Sequence, residues 1–182
     1  MILTLIDRRR EPSPAAAAAL HAPWRLLTEL AAALGPVDWR IDLVLVDDGA
    51  MTDLNRAYRG ADGPTDVLSF SYLLESSEAG QTPAARAGDR GAHHDLWADP
   101  LEADAGSAML AGEVVLAPAF ITGRCAERGW APDHEMALLV VHGCLHILGW
   151  EHDEEADRRA MMDLETAVLR GCGLPHPLAK GA

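Results

Sequence analysis

Residues 142–152 read HGCLHILGWEH, and this stretch restricts the fold more tightly than any other. His142 and His146 are four residues apart, so on a helix they stand one turn above the other on the same face. Gly149 follows His146 by three positions, and His152 follows Gly149 by three more. A left-handed residue stops a helix and turns the chain back, and glycine does this without the steric penalty of a Cβ. The pattern therefore predicts a helix that ends at Gly149 and a reversal that returns His152 to the first two imidazoles. Two imidazoles at this spacing can reach one ion at ~2.0–2.1 Å each, and the third completes a three-nitrogen set with a fourth position open, the mark of a catalytic rather than a structural zinc. His142, His146 and His152 are thus the expected ligands of one zinc ion, although nitrogen donors also suit nickel, copper or iron. Histidines four apart near a helix end arise by chance; the turn glycine and the third histidine make this pattern specific. Cys144 points to another face and is expected to be small core packing.

Zinc peptidases of the H-E-x-x-H type use the glutamate after the first histidine as their general base. Here that position is Gly143. The ligand pattern is that of a peptidase, but the proton-transfer residue is missing, which argues against ordinary peptide hydrolysis.

A chain of 182 residues with 49% apolar and 24% charged residues is expected to form one domain with a sizeable core. No apolar run reaches the ~20 residues that span a bilayer. The N-terminal MILTLIDRRR places its basic residues after a short apolar run, the reverse of a secretory signal, so a cytoplasmic protein is expected. Three cysteines without C-x-x-C spacing suggest no disulfide framework, which fits a reducing compartment. The formal charge of −13 opposes broad, nonspecific nucleic-acid binding; any such function must rest on a local cluster of arginines.

Along the chain, residues 2–6 read as a strand. Ser13-Pro14 before five alanines reads as a helix start, and residues 24–34 as a helix closed by Gly35-Pro36. Residues 40–46 are the clearest strand, with Ile41, Leu43 and Leu45 on one face. Asp47 to Gly49 are expected to turn the chain into a short helix over 51–58. Residues 66–72 and 112–117 read as two further strands. Helices are expected from Pro118 to about residue 128, over 133–148, and from a cap at Asp153 to about residue 170. Residues 75–107, rich in Ala, Gly, Asp and Pro, read as a long solvated insertion, and His93-His94 within it as surface. The whole is an α/β (α+β) chain with a small mixed sheet packed by helices.

The other dense stretch is LNRAYRGADGPTDVLSF, residues 54–70. Arg56 and Arg59 fall at the end of the short helix, and two arginines beside a polar turn can hold a phosphate. On these residues alone a solvated helix end, with Asp and Thr capping the turn, is the stronger reading, because charges at helix ends are common. This stretch, then GEVVLA, then HGCLHILGWEHDEE, in that order, resembles the YbeY endoribonuclease family of bacterial rRNA maturation factors, from about residue 40 to 174. The resemblance implies a small fold related to zinc proteases, zinc held by His142, His146 and His152, and Arg59 as the critical basic residue near the metal. It also implies cleavage of single-stranded RNA, a role in 16S rRNA 3′-end maturation and ribosome quality control, and ribosomal subunits or proteins as partners. Asn55, Asp62, Thr65 and Asp66 match the family pattern and are read as shaping the loop. No general base is evident; Glu113 and Glu135 are candidates, and attack by the RNA's own 2′-hydroxyl is the alternative. Two other readings stay open: a non-catalytic ribosome-assembly factor held together by zinc, and a metalloprotease lacking the usual glutamate.

Overall fold

A computed structural model of the protein describes residues 1–10, 38–73 and 108–176. The expected helices near Ser13 and over 24–34, the insertion over 75–107 and the His93-His94 pair lie outside the described residues. In chain order the elements are β1 (Ile2–Asp7), β2 (Trp39–Leu45), α1 (Asp48–Arg59), β3 (Val67–Ser71), β4 (Met109–Leu116), α2 (Pro118–Arg128), α3 (Pro132–Ile147) and α4 (Glu155–Gly171). The strands form one mixed sheet in the order β1-β2-β4-β3. β1, β2 and β4 are mutually parallel where they pair, and β3 runs antiparallel to β4 at the edge.

Strand β2 shows why the sheet is covered on both faces. Ile41, Leu43 and Leu45 enter a core shared with α2, α3 and α4. The alternate residue Val44, and Val46 just past the strand, are buried as well, against Met51 and Leu54 of α1. Strands buried on both faces are what parallel pairing requires, because crossover helices pack on each side.

Several element ends shift by one residue from the sequence reading, and the starts of α1, β4 and α4 differ as well. Asp47 does not merely turn the chain: its carboxylate accepts a hydrogen bond from Ala50 N at 3.2 Å, so helix α1 starts at Asp48. Strand β4 begins at Met109 rather than Gly112, because it continues to pair with Trp39 and Arg40 past a bulge in the ladder. The cap position of α4 falls on Glu154, not Asp153, and makes no side-chain cap bond.

Helix α3 is buried along most of its length and lies beside β3. Ser71 Oγ donates to the Ile147 carbonyl at 3.1 Å. Closer to the middle of the helix, a Cβ added at Gly143 would sit 2.7 Å from a Val114 methyl and 2.9 Å from Ser69 Oγ. Gly143 therefore lets the helix lie close against β3 and β4. The position that carries the base in peptidases is here a packing contact with no room for a side chain. All three cysteines are buried and unpaired, Cys144 among them, as expected of small core residues. No helix among the described residues is long and apolar enough to cross a membrane.

Candidate metal centre

Helix α3 delivers His142 and His146 in its last two turns and then stops in the predicted way. Gly149 takes φ +90°, Gly149 N donates to the His146 carbonyl, and Trp150 N donates to the Leu145 carbonyl, both at 3.0 Å. This paired closure is a Schellman motif, which satisfies the orphan carbonyls of the helix end and reverses the chain. The reversal returns His152. The ring centroids of His142 and His152 are 5.4 Å apart, those of His146 and His152 4.9 Å, and those of His142 and His146 4.6 Å.

One ring nitrogen from each of the three histidines lies within 4.8 Å of the others, so the group could hold a metal ion. The Nε2 atoms of His142 and His146 are 3.1 Å apart. Two bonds of ~2.0–2.1 Å at a tetrahedral angle would place them roughly 3.3 Å apart, so the donor set fits such an ion.

The surroundings prepare these rings. His142 Nδ1 lies 2.8 Å from Glu165 Oε1 on α4, and Glu165 Oε2 lies 3.2 Å from Nε2 of the buried His176. A carboxylate partner makes Nδ1 the protonated nitrogen and leaves the Nε2 lone pair free for an ion. The two imidazoles also hold the Glu165 carboxyl below its usual range, against the opposing effect of its own burial, so it stays ionised at neutral pH. Burial, then the neighbouring His142 and His152, push His146 down to about 4, so its ring is neutral at physiological pH, the form that ligates. Sequence reading missed Glu165 and His176. A signal was present: Glu165 stands on the buried stripe of α4 with Met161, Val168 and Leu169, where a carboxylate needs a partner.

A cavity of about 440 Å³ opens beside His142 and His152. At one end Asp66, at the start of β3, and Glu135, on α3, share the single guanidinium of Arg124 on α2. This ties the edge strand, the metal helix and α2 together. Glu135 lies two turns before His142, but burial, helped by the nearby Asp66 charge, pushes its carboxyl above the usual range against the pull of Arg124. Asp66 is half-buried, which alone would raise it; Arg124 outweighs that and holds it below the ordinary range.

The two candidate bases are separated by the sheet. Glu135 lines the cavity with His142 and His152. Glu113 does not: Gly112 faces Ile147 of α3, so the next residue of the strand points to the opposite face, where Glu113 accepts from the Tyr72 hydroxyl at 3.0 Å. Arg59 is exposed in the last turn of α1 and is not among the residues lining the cavity. Its neighbour Arg56 is engaged by Asp62 at 3.0 Å and Asp53 at 3.4 Å. The loop residues behave as expected: Asn55 Nδ2 donates to the Gly63 carbonyl at 2.9 Å, and Thr65 Oγ1 to Asp66 at 3.0 Å.

A mixed sheet with an antiparallel edge strand, a helix laid beside that edge and three imidazoles gathered at the helix end define a zincin-like α+β protein with a three-histidine metal site. The family model for endoribonuclease YbeY matches residues 17–173, and the chain belongs to that family. It is 37% identical over 151 residues to the endoribonuclease YbeY of Moorella thermoacetica, spanning 82% of this chain and 84% of that one. It is 31% identical over 159 residues to the endoribonuclease YbeY of Magnetococcus marinus, spanning 87% and 94%. The counterpart from Rhodospirillum rubrum is 40% identical over 139 residues, 76% of this chain but 58% of the relative's length. The solution structure of a Thermotoga maritima protein superposes with a TM-score of 0.56 at 18% identity, covering 94% of this chain and 89% of that one, a likeness of fold.

Proposed function

We propose that this protein is a zinc-dependent, single-strand-specific endoribonuclease that acts in 16S rRNA 3′-end maturation and ribosome quality control, in the cytoplasm, with ribosomal subunits or proteins as partners. The observation that carries the reading is the convergence of His142, His146 and His152 with Glu165 behind His142. The names of the relatives support it.

His142, His146 and His152 are the ligands in this reading. Zinc held by three protein donors would supply Lewis-acid activation of water or of a phosphoryl oxygen. The chain's own residues do the rest. Glu165 fixes the tautomer of His142. Arg59 binds the scissile phosphate and stabilises charge as it grows on the phosphoryl oxygens. Its neighbour Arg56 is already committed to aspartates, which leaves Arg59 as the arginine of this turn for that task. Glu135 is the candidate base that shares the cavity with the histidines; Glu113 faces away.

The test is cleavage of RNA carrying the single-stranded 3′ tail of the 16S precursor, by zinc-loaded protein and by Arg59→Ala with its fold checked by circular dichroism. Cutting by the wild type and its loss in the folded variant is the expected result. No cutting, even with ribosomal subunits added, sinks the nuclease reading in favour of an assembly factor. A 2′,3′-cyclic end on the products would assign the attack to the RNA's own hydroxyl.

A further inference from the structure

The cavity beside the histidines has more structure than metal binding requires. Trp130 forms one wall, with the Arg128 guanidinium 4.8 Å from its ring centroid. Leu138, Leu139 and Met161 line it as well. Arg158 stands at its rim, 3.4 Å from the His152 carbonyl, which joins this chamber to the three-histidine group.

We infer that this cavity seats one nucleobase of a single-stranded RNA, stacked on Trp130, with the Arg128 and Arg158 side chains taking the phosphates on either side. The inference rests on the endoribonuclease reading and adds to it where the strand is gripped.

Three observations carry it. The first is shape and lining. A cavity of about 440 Å³ with apolar walls and one aromatic ring is the form of a small-ligand seat, and an aromatic face can stack any base. The second is charge. With a net charge of −13 the chain repels a polyanion, so it needs a local device to hold one. The carboxylates facing the cavity are turned inward. Asp66 and Glu135 are held by Arg124, and Glu165 by His142 and His176. The exposed charges at the mouth are Arg128 and Arg158, of which Arg158 also meets Glu155 at 3.1 Å. The third is continuity. His142 and His152 line the same cavity, so a base seated there puts its own phosphates next to the metal ligands. An apolar protein side chain would fit the walls but would make no use of the exposed Arg128 and Arg158 beside them.

The experiment uses the zinc-loaded full chain and a labelled single-stranded RNA octamer. One abasic nucleotide is stepped through the octamer, and binding is read by fluorescence anisotropy for wild type, Trp130→Phe and Trp130→Ala. Zinc content and circular dichroism are matched among the three proteins. Loss of one stacked base should weaken wild-type binding roughly five- to hundred-fold at one register of the abasic site. Trp130→Ala should weaken the intact RNA by a similar factor and gain no further loss from the abasic site, while Trp130→Phe stays near wild type. The inference is overturned if no abasic position matters, if Trp130→Ala weakens intact and abasic RNA by independent factors, or if the wild type binds neither. Cleavage followed on the same RNAs separates the two ideas. Binding at one register without strand scission removes the nuclease reading alone, and scission that ignores both Trp130 and the abasic site removes the base seat alone.

Discussion

Glu165 Oε1 lies 2.8 Å from Nδ1 of His142, across the ring from the Nε2 that faces His146, and its second oxygen is held by His176. A helix packed on the metal helix thus sets which nitrogen of His142 is available. Removing such a partner typically costs 10–100-fold in metal affinity. Glu165→Ala is expected to weaken zinc binding by about that factor in competition with a chromophoric chelator. Glu165→Gln, which still accepts from Nδ1–H, should lose less. Equal affinity for all three proteins would show that His142 needs no orientation.

Chelation should lower the melting temperature, because an ion that binds only the folded chain stabilises it in proportion to the logarithm of its concentration over Kd. Calorimetry with buffered free zinc should give a melting point that climbs steadily with zinc for the wild type and stays flat for His152→Ala. A flat wild-type curve would contradict a metal site at these histidines.

Gly143→Ala should destabilise the fold by about 1–3 kcal/mol, the usual cost of overpacking. The new methyl would meet Val114 at 2.7 Å and Ser69 at 2.9 Å. Trimming the obstacle with Val114→Ala in the same chain should recover part of the loss, as a double-mutant cycle in urea would show. Gly143→Glu should not create a peptidase; it should fold poorly.

The carboxylates on Arg124 should respond to pH in opposite senses. Asp66 is held below its ordinary value, so its contribution is present above the unfolded pKa of ~3.9 and is lost as pH falls through the lower folded value. Glu135 is pushed above its ordinary value, so the folded chain holds its proton more tightly. Its favourable contribution is present below the unfolded pKa of ~4.3 and is lost as pH rises through the folded value. Asp66→Asn is therefore expected to be destabilising at pH 7, with the penalty fading below about pH 4. Glu135→Gln should be neutral or stabilising at pH 7, with any gain vanishing at low pH. Urea midpoints from pH 7 to pH 3 would decide, and a Glu135→Gln penalty that grows with pH would reverse the assignment.

Local chemistry made much of this protein legible from its amino acids alone. The spacing of His142, His146, Gly149 and His152 carries its own geometry, because a helix repeats every 3.6 residues and a left-handed glycine ends it in one way. Strand β2 and helices α2 to α4 were readable for the same reason: their periodic apolar residues are a property of the segment itself. The boundary at Asp47 was not, since a capping carboxylate and a turn residue look alike until the Ala50 amide is seen to use it. The partners of the site depend on packing between elements far apart in the chain. Glu165 is 23 residues from His142, and Arg124 is 58 from Asp66. No periodicity links such pairs; the sheet order and the helix packing bring them together. Only the tertiary structure puts Glu135 on the histidines' cavity and Glu113 off it, through nothing more than the alternation of a strand that sends Gly112 towards the metal helix and Glu113 away from it.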